Sequence, residues 1–245
     1  GLGEGYVAGS WDCDSLDGFF DRLLRAHLER EARSPRLAWH ALHAKLVNRQ
    51  NRRHAWDVGR AHYDLGNEFF AAMLDPRMAY SCGYWRNANT LAEAQEAKLE
   101  LVCRKLGLQP GMRVLDIGCG WGSFMGYAAE KYGVRCIGVT VSKEQAAFAR
   151  ERYAGLPLDF RLQDYRELSP DTLDGTVDRV VSIGMFEHVG RRNHRAFMRV
   201  VRRCLADDGL ALLHTIGKRR RDTAIDPWID KYVFPNGDLP SMGQI

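Results

Sequence analysis

Short apolar runs alternate with helix-like segments along the chain from about residue 89 onward. The apolar runs are "RVLDIG" (113–118), "VRCIGVT" (134–140), "LDFRLQ" (158–163), "VDRVVSIG" (177–184) and "LALLHTI" (210–216). Strands that alternate with helices at this spacing form parallel sheets, because each helix returns the chain to the same edge. The pattern predicts an α/β domain.

Helix signals mark the connections between these runs. Thr90 and Glu93 form a capping-box pattern at the start of a helix that should end near Gly107. Further helices are predicted from about Ser123 to Tyr132, after Ser142, and over 193–205.

The N-terminal part has a helical pattern instead of a strand pattern. A helix capped by Asp14 or Ser15 is predicted, and a second helix over 35–48 is followed by an Arg- and Asn-rich linker, 48–54. Apolar residues at helical spacing form one face of the first helix: Leu16, Phe19, Phe20, Leu23, Leu24 and Leu28.

Composition limits the class of protein. The 245 residues are 45% apolar, which suffices for one substantial core. No secretory signal is visible and no apolar run reaches the roughly 20 residues that span a bilayer, so a soluble or peripheral protein is predicted. The six cysteines include no C-x-x-C pair, which favours a reduced cytosolic protein and no bound metal.

Basic residues are clustered although the net charge is only +4. The clusters are "NRQNRRH" (48–54), "RRNHR" (191–195) and "KRRRD" (218–222). They fit solvated surfaces or contact with an anionic partner. Because no aromatic residues are interleaved with them as in nucleic-acid-binding motifs, phospholipid headgroups are favoured over nucleic acid.

A glycine-rich loop, "GCGWG" (118–122), follows the first predicted strand. Glycines at this place permit a tight turn and a close approach of the backbone to a ligand at the start of a helix. A dinucleotide fingerprint would place Gly or Ala at Ser123 and an acid in place of Thr140. Asp116 before G-x-G-x-G instead resembles the class I S-adenosylmethionine-dependent methyltransferases, which have a Rossmann-like sheet.

Six segments in register carry a closer resemblance, to the cyclopropane-fatty-acyl-phospholipid synthases, with the mycolic acid cyclopropane synthases as more distant relatives. The segments are 62–85 ("HYDLGNEFFAAMLDPRMAYSCGYW"), 114–122 ("VLDIGCGWG"), 138–145 ("GVTVSKEQ"), 182–190 ("SIGMFEHVG"), 212–217 ("LLHTIG") and 226–237 ("DPWIDKYVFPNG").

The resemblance implies a division of the chain into two parts. Residues 1–50 would be the end of an N-terminal lipid-binding domain with its linker, and residues 51–245 a methyltransferase domain. The family's domain continues further, so the chain is expected to be a fragment at both ends, with strands 6 and 7 missing.

The resemblance also implies a reaction. A methylene unit would pass from S-adenosylmethionine to a cis double bond of an unsaturated phospholipid acyl chain, through a carbocation that bound bicarbonate deprotonates before a cyclopropane ring closes. The alternative is methyl transfer without ring closure, which gives a branched or methylene product. The implied location is cytoplasmic, peripheral on the inner face of the membrane, and a homodimer is left open.

The resemblance assigns residues to both ligands. Cys82, Glu187, His214 and Ile216 would surround the bicarbonate. The residues assigned to the cofactor are Tyr80, Ser81, Asp116, Gly118, Cys119, Gly120, Thr140, Gln145, Asp164 and Tyr165.

Three of these side chains have ordinary structural alternatives. Gln145 could cap its helix, Glu187 could be an acid at a helix N-terminus, and His214 could be a core histidine. No base lies near Cys82 in sequence to activate a thiolate. We therefore expect Cys82 to contribute its backbone N–H to the bicarbonate pocket, within a lid that Tyr80 and Ser81 form over the cofactor.

Overall fold

The computed structural model describes residues 1–27, 66–219, 227–234 and 237–245. The predicted helix over 35–48, the linker 48–54 and the boundary between residues 50 and 51 lie outside these ranges.

Five strands form one parallel sheet, which confirms the α/β prediction. They are β1 (Arg113–Ile117), β2 (Arg135–Thr140), β3 (Leu158–Leu162), β4 (Val177–Ile183) and β5 (Leu205–His214), in the spatial order β3-β2-β1-β4-β5. Every neighbouring pair is parallel. β2 and β3 are added on one side of β1, and β4 and β5 on the other. This switch opens a crevice beside the carboxyl end of β1.

Helices connect the strands at the places that the capping signals predict. The described helices are α1 (Leu2–Val7), α2 (Leu16–Arg25), α3 (Asn67–Met73), α4 (Leu91–Leu106), α5 (Ser123–Tyr132), α6 (Lys143–Arg152), α7 (His194–Cys204) and α8 (Pro227–Tyr232). Ser15 caps α2, and Thr90 and Glu93 form the full capping box of α4. Gly107 ends α4 in the left-handed conformation, as a C-terminal glycine does.

The start of β5 differs from the prediction. The strand begins at Leu205, directly after α7, instead of near residue 210. This part of β5 contains Asp207, Asp208 and Gly209, and because Asp and Gly are rare in strands, the sequence does not predict it. The register against β4 shifts between Val177 and Arg179, and this bulge accommodates the extra residues.

Apolar side chains fill both faces of the sheet. One cluster packs Leu99 of α4 and Phe124 of α5 against the sheet, and the other packs Phe197 of α7 on the opposite face. Successive strand residues alternate between faces, so Val114 belongs to the first cluster and Leu115 to the second. Because all five strands are parallel, their carboxyl ends lie at one edge of the sheet, and the two cores pack on either side of it.

No helix among the described residues is long and apolar enough to cross a bilayer. The same residues contain no group of three or more His, Cys, Asp or Glu side chains arranged to hold a metal ion.

Candidate active site

The glycine loop joins β1 to α5 in a conformation that requires glycine. Gly118 has a φ of +87°, and a Cβ at this position would lie 2.6 Å from the Cβ and Cγ atoms of Met185. The N–H groups of Gly118 and Cys119 both donate to the carbonyl of Val139, at 2.9 and 3.0 Å. The loop is thereby fixed against the end of β2, and α5 begins directly after it.

Asp116 is the last polar side chain of β1 before this loop, and it is only 3% exposed. Burial raises its pKa to about 7, and the positive charge of Lys98 acts in the opposite direction. A carboxyl group held close to its titration point is typical of functional sites.

Thr140 and Gln145 meet at the end of β2. The Thr140 hydroxyl donates to Gln145 Oε1 at 3.1 Å, and both side chains are buried. The helix cap uses only the backbone of Gln145, whose N–H donates to Ser142 Oγ at 3.3 Å. The side chain of Gln145 therefore lies beside the glycine loop, 3.9 Å from the place where a Cβ on Gly120 would be.

Asp164 and Tyr165 follow β3 but have different environments. Asp164 is buried, and its carboxylate accepts from the backbone N–H of Arg166 and pairs with the Arg166 guanidinium at 2.8 Å. The Tyr165 ring is buried in the core beside Phe197, with 5.4 Å between the ring centroids. The structure gives Tyr165 a packing role, and its contact with a cofactor stays a prediction.

An aromatic cluster covers the glycine loop. Trp121, within the loop, packs against Phe70 of α3 with 4.8 Å between ring centroids, and its indole N–H donates to Asn67 at 2.8 Å. Tyr80 packs against Phe70 at 5.5 Å. Helix α3 and the segment around Tyr80 thus lie over the loop, where the sequence predicts a lid.

Two side chains of α4 that the sequence interpretation missed hold this lid. The Gln95 amide donates to the carbonyls of Ala79 and Ser81, at 3.2 and 2.7 Å. The Lys98 ammonium donates to Ser81 Oγ at 2.7 Å. The available signal was their spacing, because Gln95 and Lys98 share the face of α4 that buries Leu99 and Val102.

Cys82 and His214 lie side by side, with 3.5 Å between Sγ and Nε2. Burial lowers the pKa of His214, the charge of Lys98 lowers it further, and Glu187 opposes both effects. The imidazole is therefore mainly neutral at pH 7. The contact brings the Cys82 side chain to the site, whereas the sequence pointed to its backbone N–H.

Glu187 crosses from the end of β4 to the end of β5. It is 6% exposed, and its Oε1 accepts from the backbone N–H of Ile216 at 2.7 Å. This bond reaches another element, so Glu187 is more than an acid at the start of its own short helix, Phe186–His188. The Ile216 side chain is largely exposed, and its described contact with Glu187 is through the backbone.

Two polar atoms here are buried without a hydrogen-bond partner in the part of the chain that the structure describes: Oε2 of Glu187 and Nδ1 of His214. Buried polar atoms are nearly always paired with protein, water or ligand. The pair is therefore complementary to a small polar ligand that can donate to a carboxylate.

Comparisons with known proteins show the family of the chain. A family model described as mycolic acid cyclopropane synthetase matches residues 50–245. The cyclopropane-fatty-acyl-phospholipid synthase of Escherichia coli strain K12 is 52% identical over 250 residues, which cover 100% of this chain and 63% of that protein. The chain thus spans less than two thirds of this relative.

Two solved structures are similar over most of the chain. The cyclopropane synthase MmaA2 from Mycobacterium tuberculosis has a TM-score of 0.70 and 37% identity, and covers 77% of this chain and 71% of its own. The mycolic acid cyclopropane synthase CmaA1 complexed with SAH and CTAB has a TM-score of 0.68 and 40% identity, with the same two coverages. The fold prediction of a class I methyltransferase domain is confirmed.

Proposed function

The chain belongs to the mycolic acid cyclopropane synthetase family, and from this premise we propose that the protein cyclopropanates lipids. It transfers a methylene unit from S-adenosylmethionine to a cis double bond of an unsaturated phospholipid acyl chain, and a cyclopropane ring closes. The observation that carries the proposal is the buried Glu187 carboxylate, bonded to Ile216 and open at Oε2, at the edge of the sheet that also holds the glycine loop.

The cofactor cleft lies at the carboxyl ends of β1, β2 and β3. S-adenosylmethionine supplies an electrophilic methyl group on a sulfonium. In this proposal Gly118, Cys119 and Gly120 form the loop beneath the cofactor, and Tyr80 and Ser81 cover it. Asp116, Thr140, Gln145 and Asp164 supply polar groups at the cleft. Tyr165, whose ring packs in the core, would contribute at the cleft through its backbone. Gln145 suits the ribose hydroxyls because its amide is not used by the helix cap.

Bicarbonate suits the group formed by Cys82, Glu187, His214 and Ile216. Bound bicarbonate would supply a weak base beside the acyl chain. Its hydroxyl would donate to Glu187 Oε2 and its anionic oxygens would accept from a protonated ring nitrogen of His214, so both unpaired atoms would be satisfied. The shared proton also reduces the repulsion between the two anions.

The aromatic cluster over the glycine loop would keep water away from the reaction. Methylation of an alkene leaves a carbocation on the acyl chain, which water would trap. Phe70, Tyr80 and Trp121 enclose the glycine loop with apolar surface, and the hydrogen bond from the backbone N–H of Ile216, just after β5, holds Glu187 in place. Positioning and water exclusion are what a weak nucleophile such as an alkene needs from the protein.

A phospholipid substrate requires access to a membrane. Arg195, Arg199 and Arg202 are exposed on one side of α7, a helix without an acidic residue, and Met198 is exposed among them. Each arginine near an anionic bilayer contributes about 1 kcal/mol to binding. We place the protein at the inner face of the cytoplasmic membrane as a peripheral protein, with this helix toward the headgroups.

Product analysis tests the proposal. The full-length protein is incubated with S-adenosylmethionine, bicarbonate and vesicles of phosphatidylglycerol with cis-unsaturated chains, and the lipids are then treated with ozone. A cyclopropane product is heavier by one CH2 unit and resists ozone. A product of the same mass that ozone cleaves indicates methyl transfer without ring closure and contradicts the proposal, as does an unchanged lipid. Vesicles with saturated chains are the control.

A further inference from the structure

Lys98 is a buried cation whose role the proposed reaction leaves open. The residue is 5% exposed, and its hydrogen bond to Ser81 Oγ at 2.7 Å is directed away from α4 toward the lid. The residues that the structure describes offer Lys98 no ion pair. The carboxyl groups of Asp75 and Asp116 act on the charge of Lys98 only from longer range. A buried ammonium that no carboxylate contacts directly is suited to an anionic ligand.

The chemistry of the ammonium fixes the direction of the hydrogen bond. Lysine has three donors and no acceptor, so Ser81 Oγ must accept from Lys98. The Ser81 hydroxyl proton is then left to donate to another group. The hydroxyl that Lys98 polarises is therefore a donor, and the group that faces it must be an acceptor.

Ser81 is held in place for this task. The Gln95 amide fixes the Ser81 carbonyl at 2.7 Å, so the backbone of the lid cannot turn the side chain away. The Ser81 Cβ lies 3.8 Å from the place where a Cβ on Gly184 would be, which puts it at the carboxyl end of β4. This is the edge of the sheet that holds Glu187 and His214.

We propose that Lys98, acting through the Ser81 hydroxyl, is a positioning residue for a carboxylate-type anion in the cleft. We call this pair the Lys98–Ser81 relay. This inference rests on the proposed function, which offers two sources of such an anion: the carboxylate of the S-adenosylmethionine amino-acid portion, and bicarbonate. Both present oxygen acceptors with negative charge to a hydroxyl donor.

The charges around Lys98 give this relay a pH dependence. Burial lowers the pKa of Lys98 to about 8, against the influence of Asp75, Cys82 and Asp116, and His214 of β5 is within reach of its charge. The ammonium is charged below about pH 8 and neutral above it. Anion affinity is therefore expected to fall as the pH rises through about 8.

Calorimetry on the full-length protein tests the relay. Lys98→Met is compared with wild type at pH 7 for binding of S-adenosylmethionine and of its decarboxylated analogue. If the cofactor is the source of the anion, the variant binds S-adenosylmethionine about tenfold or more weakly and binds the decarboxylated analogue as wild type does. Lys131→Met, at an exposed position of α5, is the matched control and should change neither affinity.

A second arm identifies bicarbonate as the source. With the cofactor site saturated by S-adenosylhomocysteine, titration of 13C-labelled bicarbonate is followed by NMR. In this case Lys98→Met leaves S-adenosylmethionine binding unchanged and weakens bicarbonate binding. With either source of the anion, Ser81→Ala should lose as much anion affinity as Lys98→Met does. The fall in anion affinity above pH 8 should be absent in Lys98→Met.

The relay is overturned if Lys98→Met folds and binds both anions as wild type does, or if it loses the same factor for S-adenosylmethionine and the decarboxylated analogue. The latter result would indicate a structural role for Lys98. If wild type itself binds no S-adenosylmethionine, the proposed function fails and the relay fails with it. Normal wild-type binding together with an unaffected variant removes the relay alone.

Discussion

Asp116 carries a stability penalty that follows from its burial. Its pKa is raised to about 7 by burial, so the folded state binds a proton more tightly than the unfolded state, whose Asp pKa is near 3.8. The stability of the fold therefore decreases as the pH rises from about 4 to about 7, and the full penalty is present above pH 7.

Asp116→Asn should remove this penalty. We expect the variant to have a free energy of unfolding about 1 to 3 kcal/mol higher than wild type at pH 8, because no carboxylate is buried at position 116. The difference should nearly vanish at pH 4, where the wild-type carboxyl is protonated. Urea unfolding at the two pH values measures it, and an equal difference at both would contradict the assignment.

Glu187 and Cys82 should respond differently to substitution. Glu187→Gln keeps the size of the side chain but removes the anionic acceptor at Oε2, and we expect turnover to fall by about 100-fold or more, with cofactor affinity unchanged. Cys82→Ala should retain substantial activity, because an alkene reaction requires no thiolate. An inactive Cys82→Ala that binds cofactor normally would show that the contact between Sγ and His214 is essential.

Of the individual residues at the site, the sequence indicated some and missed Lys98. The resemblance brought together Glu187, His214 and Ile216, and the structure places these residues on adjacent strand ends. It did not reveal Lys98, because a lysine within a helix is ordinarily solvated and only the fold shows that this one is buried. Helix periodicity gives the face of a residue, whereas its partner across the core depends on tertiary packing.

Among the elements, Gly118 of the glycine loop and Gly111 of the turn before β1 form a matched pair for substitution. Gly118 and Gly111 have nearly the same φ, +87° and +83°. A Cβ on Gly118 would collide with Met185, whereas a Cβ on Gly111 would meet nothing within 4 Å. The two positions therefore separate backbone strain from steric collision.

We expect Gly111→Ala to lower the free energy of unfolding by about 1 to 2 kcal/mol, from backbone strain alone. Gly118→Ala should lower it by about 1 to 3 kcal/mol more and should impair cofactor binding, because the loop must move. Denaturant unfolding of both variants measures the difference. Equal losses would mean that Met185 yields freely and that the loop is not tightly packed.

The order of helices and strands was readable from the sequence because caps and apolar runs are local signals. The capping box of α4 and its C-terminal glycine are confirmed at the predicted residues. The first half of β5 was not readable, because Asp207, Asp208 and Gly209 have low strand propensities and fall within a register shift, before which Leu205 alone pairs with β4. Local signals fix where elements lie, and pairing decides where a strand begins.

For the whole molecule, the proposed phospholipid substrate requires contact with a membrane, and the basic side of α7 predicts where this contact lies. Replacing Arg195, Arg199 and Arg202 with Gln should weaken binding to anionic vesicles by about 100-fold at low salt, from about 1 kcal/mol per arginine. The loss should shrink as salt increases, because screening weakens the wild-type interaction too. Vesicle sedimentation measures it, and calorimetry should find unchanged cofactor affinity. Equal vesicle binding by variant and wild type would exclude α7 as the membrane-facing side.

The N-terminal helix α1 contacts α8 directly. Glu4 of α1 pairs with Lys231 of α8 at 2.8 Å and accepts from the Tyr232 hydroxyl at 3.0 Å, while Gly3 lies against Trp228. These contacts tie the beginning of the chain to a helix that follows the sheet.

The most direct test of the central claim follows the cofactor's methyl hydrogens into the product. The full-length protein is incubated with S-adenosylmethionine that carries a CD3 group and with an unsaturated phospholipid, and the lipid is examined by mass spectrometry after ozone treatment. Cyclopropane formation predicts a lipid that has gained CD2 and resists ozone, and Glu187→Gln should form almost none. A product that retains CD3, or one that ozone cleaves, would contradict the account.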